Sequence, residues 1–572
     1  MTLPRILPLI VASLVVATIP GRGAAPGAPG EPTFLSVVLH NVVDERASLD
    51  SDSMTTTDLV AFFEYLVSNG WHAITLDDVD RAGRGETTLR EHSILITIDD
   101  AYASAYTRVY PLLLATKMPA IIAVPGAWVE RGRGPGGEAM LTWAQAREMQ
   151  QSGLVEFASH GYDLHGTVIG NPQASQVPAF WARLFDPARG YEDDDGYRHR
   201  VDADLQQSVA VMTRELGRAP RAIAWPYGRY TQITVEIAKA LGFHFALTFD
   251  PEPALASRPL AIARFALSTG SRLPPLVERL QAGDMLPRVR RFVRLRPSTL
   301  WRPDPAETER LLGEAIERVR VLGATAIVID AVEPGPDGRP VAWFPTKAIP
   351  VRADVYLRFA WQFQTRAGVR AWGHLPAAAL DLDDAELEGI CRDFGIFTSV
   401  DGLLVEEVSA LVGPGDVGSG ARWEVAAARR AIEAARLPQR ERRVLTCFRA
   451  AQRELPGLQL ALVSTDPPDP RGPGAAADIT FVRTTPDPVQ AGRAIDAMAR
   501  AGWLSPRVAR RVGLWLESDL PPADGDLMAI TRRFQRQGGV ALGWSTDDPV
   551  ADKPTARVVA PVVSASIFPS RY

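Results

Sequence analysis

Short, mainly apolar segments that stop at an ionisable or turn-forming residue constrain this chain most. Phe34–Leu39 ends at His40, Ile94–Ile98 ends at Asp99 and Asp100, Val155–Ala158 precedes His160, and Ala222–Trp225 ends at Pro226. A strand that is apolar on both faces must be covered on both faces, as in a parallel sheet flanked by helices. The intervening segments supply such helices. Thr57–Ser68 places Leu59, Phe62, Phe63 and Leu66 on one stripe, and Tyr106–Ala115, Asp202–Leu216 and Thr234–Leu241 also read as helical. With Ala120–Val124 and Phe243–Thr248 as further strands, the alternation predicts an α/β fold with its chemistry at the strand ends. The polar stretch Gly170–Arg200, with Glu192, Asp193, Asp194 and Asp195, reads as a solvated loop.

A second round follows a basic, Pro-bearing boundary at Pro287–Trp301. Helical patterns at Pro305–Leu322, Val355–Thr365, Ala421–Ala435 and Glu441–Glu454 accompany strand patterns at Ala324–Ile329, Val369–His374 and Leu403–Val405. Leu458–Val463, Ile479–Val482, Val512–Leu516 and Val540–Trp544 extend the strand series, with Asp466–Ala476 as a Pro- and Gly-rich loop. A (β/α) barrel uses about 250 residues. The 572 residues therefore divide into a leader at 1–25, a first barrel domain at 26–275 and a second at 285–572.

The leader has Arg5, an apolar run Ile6–Ile19 and small residues Gly23, Ala24 and Ala25. That run is shorter than the roughly 20 residues a membrane span needs, so a cleaved export signal is expected. No cysteine stands there to carry a lipid, and the expected destination is periplasmic or secreted. The net charge of -5 and the lack of a basic stripe argue against nucleic acid as the main partner. Two cysteines, Cys391 and Cys447, are too few for a Cys-rich zinc site. They can pair or remain as buried thiols.

Four clusters carry chemistry. Asp99 and Asp100 are costly to bury ionised without a cation, so a divalent metal is one reading and a helix N-cap the other. His160 and His165 lie in a Gly-bearing segment and favour metal ligation once the aspartates are counted, giving one Asp and two His with open positions. Trp225-Pro226-Tyr227-Gly228 is either an ordinary turn or a backbone N–H site for an oxyanion. His40, followed by Asn41, Val42, Val43 and Asp44, is either a structural histidine or a general acid.

In this order, the clusters resemble those of the carbohydrate esterase family 4 (NodB-homology) deacetylases. More narrowly, they are similar to the PgaB-type poly-β-1,6-N-acetyl-D-glucosamine deacetylases, in which the His-Asp-Val-Val-Asp segment comes first. The resemblance implies two (β/α) barrels: a distorted deacetylase barrel and a C-terminal, glycoside-hydrolase-like, TIM-like one. It implies Asp99 as general base, His40 as general acid, a Tyr227 backbone oxyanion site, and Asp100, His160 and His165 around one divalent ion: zinc, nickel, cobalt or iron. It further implies a polysaccharide substrate, outer-membrane export machinery as partner, and a monomer. Ile98, Ala101 and Asn41 depart from the usual Phe, Gly and Asp. Ala101 is expected to tighten the turn after the aspartates.

Trp343-Phe344-Pro345 and Ala371-Trp372 fit the family's second domain, but its acids do not. Its aspartate pair appears as Glu406 and Glu407, and its acidic segment near Phe292 as Val293-Arg294-Leu295-Arg296. Glycoside cleavage needs two carboxyls at set distances. A glycan-binding barrel with a site at Asp330, Glu406 and Glu407 is therefore expected, with little or no cleavage.

Overall fold

The computed structural model describes residues 33–44, 52–250, 254–267, 289–406, 439–465, 477–505, 509–518, 525–545 and 547–566. The leader, the helix expected at Ala421–Ala435, Glu407 and the Asp466–Ala476 loop lie outside them. Among the described residues no helix is long and apolar enough to cross a membrane.

The first sheet contains β1 (Thr33–Leu39), β2 (Ser93–Ile98), β3 (Ala120–Val124), β4 (Val155–Ser159), β5 (Ala222–Ala224), β6 (Phe245–Thr248) and β7 (Ile262–Ala263). They are parallel neighbours in that order. β8 (Phe265–Ala266) pairs in parallel with β1, and only Arg264 separates it from β7. The sheet therefore curls into a nearly closed barrel whose seam is Arg264. Helix α1 (Thr56–Ser68) buries Leu59, Phe62, Phe63 and Leu66, the stripe its sequence presents, and Thr55 caps it by accepting the Asp58 amide at 3.1 Å.

Strands β9 (Arg290–Leu295), β10 (Ala326–Asp330), β11 (Arg370–Leu375), β12 (Gly402–Glu406), β13 (Gln459–Ser464), β14 (Ile479–Thr484), β15 (Val512–Leu516) and β16 (Ala541–Trp544) form a closed parallel barrel. β9 corrects the reading of Pro287–Trp301 as a mere boundary. Its arginines hide the strand signal, yet Arg291 is fully buried and Arg294 nearly so. Cys391 on α3 (Asp384–Phe397) and Cys447 on α4 (Gln439–Glu454) form a disulfide. This settles the pairing that the sequence left open.

The stretch read as a solvated loop instead docks the two domains together. Val177, Trp181 and Ala182 are buried in the core of the second barrel. Helix α2 (Asp194–Leu216) starts earlier than expected because Asp193 accepts the Gly196 amide at 2.8 Å. The acidic cluster is largely paired. Glu192 takes two donors from Arg200, and Asp194 is shared by Arg183 and by Arg392 of the second barrel. Gln173 Nε2 and Tyr191 Oη donate to the Asp354 carbonyl and carboxylate, at 2.8 and 2.5 Å.

Candidate active site

Strand register gathers the four clusters at one end of the first barrel. β1 pairs with β2 so that Leu39 lies opposite Ile98, and the Asp99 amide donates to the Leu39 carbonyl at 2.8 Å. His40 thus stands beside Asp99 and Asp100, and its charge would favour ionisation of both. Its Nδ1 is buried without a hydrogen-bond partner among the described residues. β4 delivers His160 two strands along the sheet, with its amide held by the Val124 carbonyl at 2.9 Å.

Asp100, His160 and His165 converge, and their candidate ligand atoms all lie within 4.8 Å of one another. Asp100 Oδ1 is 2.9 Å from His165 Nε2 and 3.5 Å from His160 Nε2. His160 Nδ1 sits 2.7 Å from the Ala224 carbonyl, so that nitrogen carries the proton and Nε2 presents a lone pair. Burial pushes the His165 imidazole toward its neutral form, with Asp100 opposing it. Burial works against ionised Asp100, but the His165 and His160 contacts hold it well below the usual carboxylate range. Electron-rich atoms this close call for a cation between them, and one carboxylate with two imidazoles suits a borderline divalent ion. These three residues can hold a metal ion.

Asp99 is held differently. Arg264 Nη1 and Nη2 grip its two oxygens at 2.7 and 2.9 Å, and Nη1 also donates to Thr97 Oγ1 at 3.1 Å. Burial disfavours the Asp99 charge, but Arg264 and then His160 outweigh it and keep the carboxyl below its usual range. With both oxygens engaged by the guanidinium, Asp99 lies 3.8 Å from His160 Nε2, at the edge of the ligand triad. Sequence reasoning missed Arg264. The available signal was a single arginine in the otherwise apolar run Ala261–Leu267, since such charges are rarely buried unpaired.

It also missed Asp204 on α2. Its Oδ2 accepts the Tyr162 amide at 2.8 Å, and its Oδ1 accepts those of Asp163 and Leu164 at 2.8 and 3.0 Å. One carboxylate thereby shapes the turn that brings His165 back onto His160. Gly161 begins that turn with φ +77°, and a Cβ there would meet the Phe180 ring at 2.6 Å.

Asp100 and Ala101 both adopt left-handed backbone, with φ of 67° and 54°. The effect expected of Ala101 thus takes the form of local strain, costing roughly 1–2 kcal/mol per non-glycine residue. Asn41 pins the neighbouring loop by accepting from Ser104 Oγ at 2.8 Å. Tyr227 also has positive φ, 58°, in a short 3-10 turn closed by the Gly228 and Arg229 amides onto the Trp225 and Pro226 carbonyls. Its ring lies 5.3 Å from that of His165.

Asp330 and Glu406 of the second barrel are also brought together, but not as an open pair of acids. Arg294 reaches Asp330 with Nε at 2.7 Å and Nη2 at 3.0 Å, and Glu406 with Nη1 at 2.8 Å. His374 lies between them at 2.9 and 3.0 Å. Burial raises both carboxyls, but His374 and Arg294 pull each down to about 2. This cluster occupies the C-terminal end of the barrel strands.

Residues 86–246 match the family model described as polysaccharide deacetylase, and residues 299–398 match hypothetical glycosyl hydrolase family 13. A poly-beta-1,6-N-acetyl-D-glucosamine N-deacetylase of Escherichia coli K12 is 30% identical over 364 residues, which are 61% of this chain and 54% of that protein. The chain thus spans about half the length of that relative. The BpsB deacetylase domain from Bordetella bronchiseptica is 35% identical, with a TM-score of 0.37, over 41% of this chain and 96% of that one. The PgaB (BpsB) glycoside hydrolase domain from the same organism is 19% identical, with a TM-score of 0.38, over 49% of this chain and 100% of that one. The chain thus carries, in order, a region that matches polysaccharide deacetylases and one that matches hypothetical glycosyl hydrolase family 13.

Proposed function

We propose that the first domain hydrolyses the N-acetyl amide of N-acetylglucosamine units in a β-1,6-linked exopolysaccharide destined for a biofilm, and that it depends on a divalent metal. The observation that carries this reading is the convergence of Asp100, His160 and His165 beside an aspartate held ionised by Arg264. The Escherichia coli relative, by its name, deacetylates this polymer.

A divalent ion held by Asp100, His160 and His165 would supply Lewis acidity toward the amide carbonyl and acidify a water. Asp99 accepts the proton of the attacking water. The Arg264 fork fixes its orientation and keeps it ionised before the proton arrives. The Tyr227 amide, in the strained turn, hydrogen-bonds the developing oxyanion. His40 protonates the departing amine, so that the tetrahedral intermediate expels the amine rather than the water.

The second domain is a glycan-binding module that cleaves little or nothing. Glycosidases leave two carboxyls free to act at set distances around one bond, whereas Asp330 and Glu406 are both tied up by Arg294 and His374. The apolar leader and the disulfide fit an exported protein, since disulfides persist in oxidising compartments. Acetate release from β-1,6-linked N-acetylglucosamine oligomers, compared with release from acetylated peptidoglycan and repeated with chelator, tests the reading. Release from peptidoglycan alone would reassign the substrate.

A further inference from the structure

A groove of about 390 Å³ opens where the two domains meet. One wall is the loop that follows β5, from Tyr227 to Tyr230, with Phe249 and Asp250 after β6. The opposite wall is Trp361, Gln364 and Thr365, together with the segments that lead into β11, β12 and β13. Those segments stand at the N-terminal end of the second barrel, the end opposite Asp330 and Glu406. The face of that barrel nearest the candidate reaction centre is therefore not its carboxylate mouth.

The groove is continuous with the deacetylase site through one residue. Tyr227 supplies the turn described above, its ring lies 5.3 Å from that of His165, and it is 49% exposed along the groove wall. The lining combines aromatic rings, Tyr227 and Trp361, with planar polar groups, Arg229, Gln364 and Asp401. Pyranose rings are recognised in this way, with apolar ring faces against aromatics and hydroxyls against forked donors and acceptors. Arg229 and Asp401 face each other across the domains at 3.5 Å, long for a charge-assisted pair; Asp401 Oδ2 already accepts from Gln364 Nε2 and the Ala371 amide at 3.0 Å each, so it is the Arg229 guanidinium that retains capacity toward a hydroxyl. The volume lies in the range of small-ligand sites, about 300–1,000 Å³.

We infer that this interdomain groove is a glycan subsite, which binds hexosamine residues flanking the one undergoing deacetylation. The inference rests on the deacetylase reading above, and it adds a function for the second domain: its N-terminal face completes the substrate path. Contacts to sugars remote from the reacting amide orient that amide, so their loss lowers kcat/KM on long chains and spares small substrates.

Thr365→Trp, at an exposed rim position, and Arg229→Ala test this in the full-length, metal-loaded protein. The readouts are kcat/KM on a β-1,6-linked N-acetylglucosamine hexasaccharide, turnover of a small chromogenic acetyl ester, and calorimetric binding of the hexasaccharide. Circular dichroism and melting confirm that each variant is folded. We expect kcat/KM and affinity for the hexasaccharide to fall at least about tenfold in Thr365→Trp, with ester turnover unchanged. If the wild type binds hexasaccharide in a Thr365-sensitive manner but releases no acetate, the groove stands and the deacetylase reading falls. Hexasaccharide binding and turnover within about twofold of wild type in both folded variants would overturn the groove. So would failure of the wild type to bind hexasaccharide at all.

Discussion

At the residue scale, two aspartates adjacent in sequence are driven apart in character by their partners. Asp100 faces two imidazoles, and Asp99 faces a guanidinium. Arg264→Met would leave Asp99 buried and unpaired, at a cost of about 3–5 kcal/mol if the carboxylate stays ionised. Protonation of Asp99 would relieve that cost and remove the proposed base. We expect stoichiometric metal with turnover down at least about a hundredfold, read by metal analysis beside acetate release. Near-normal turnover in a folded Arg264→Met protein would show that the clamp does not matter. Asp99, Asp100 and His160 were legible because each follows an apolar strand, where period and chemistry break together. Arg264 was not, because its partner lies 165 positions away and its own neighbours give only a short apolar run.

At the element scale, the His160–His165 turn depends on α2. Asp204→Asn keeps the size of the side chain but removes the charge and one of the acceptor oxygens facing three amides. Outer positioning groups of this kind are worth about 10–100-fold in metal affinity. Titration with zinc should show weaker binding in the variant, and kcat should recover at saturating metal. Unchanged affinity would confine Asp204 to a structural role. The α3–α4 disulfide closes a separation of 56 residues, and its loss should cost about 2–4 kcal/mol in chemical denaturation of the reduced protein. A denaturation curve that reduction leaves in place would contradict that. The element missed most completely, β9, was hidden by Arg291 and Arg294, whose burial depends on carbonyls and carboxylates supplied by other strands. The docking segment was judged by its acids, while its apolar run Val177–Ala182 carried the tertiary information.

At the scale of the whole molecule, two barrels were legible from two rounds of alternation, but their mutual placement was not, because it depends on side chains distant in sequence. One contact between them titrates. Asp354, against Tyr191, is pushed up to about 6 by burial, which the Tyr191 hydroxyl only partly offsets. Between about 4, its ordinary value, and about 6, the native carboxyl keeps a proton that the unfolded chain has released. Native stability contributed here therefore falls as pH rises through that window, and Asp354→Asn should flatten the dependence in denaturation series at pH 4.5 and 7. An equal slope in the variant would place the titration elsewhere. The central claim is that Asp100, His160 and His165 form the metal centre of an amide hydrolase. The most direct measurement is acetate release from β-1,6-linked N-acetylglucosamine oligomers by metal-stripped protein, before and after a divalent ion is restored, beside His160→Ala. The account predicts activity that disappears with the metal, returns with it and never returns in His160→Ala; equal release by the stripped protein or by the variant would contradict it.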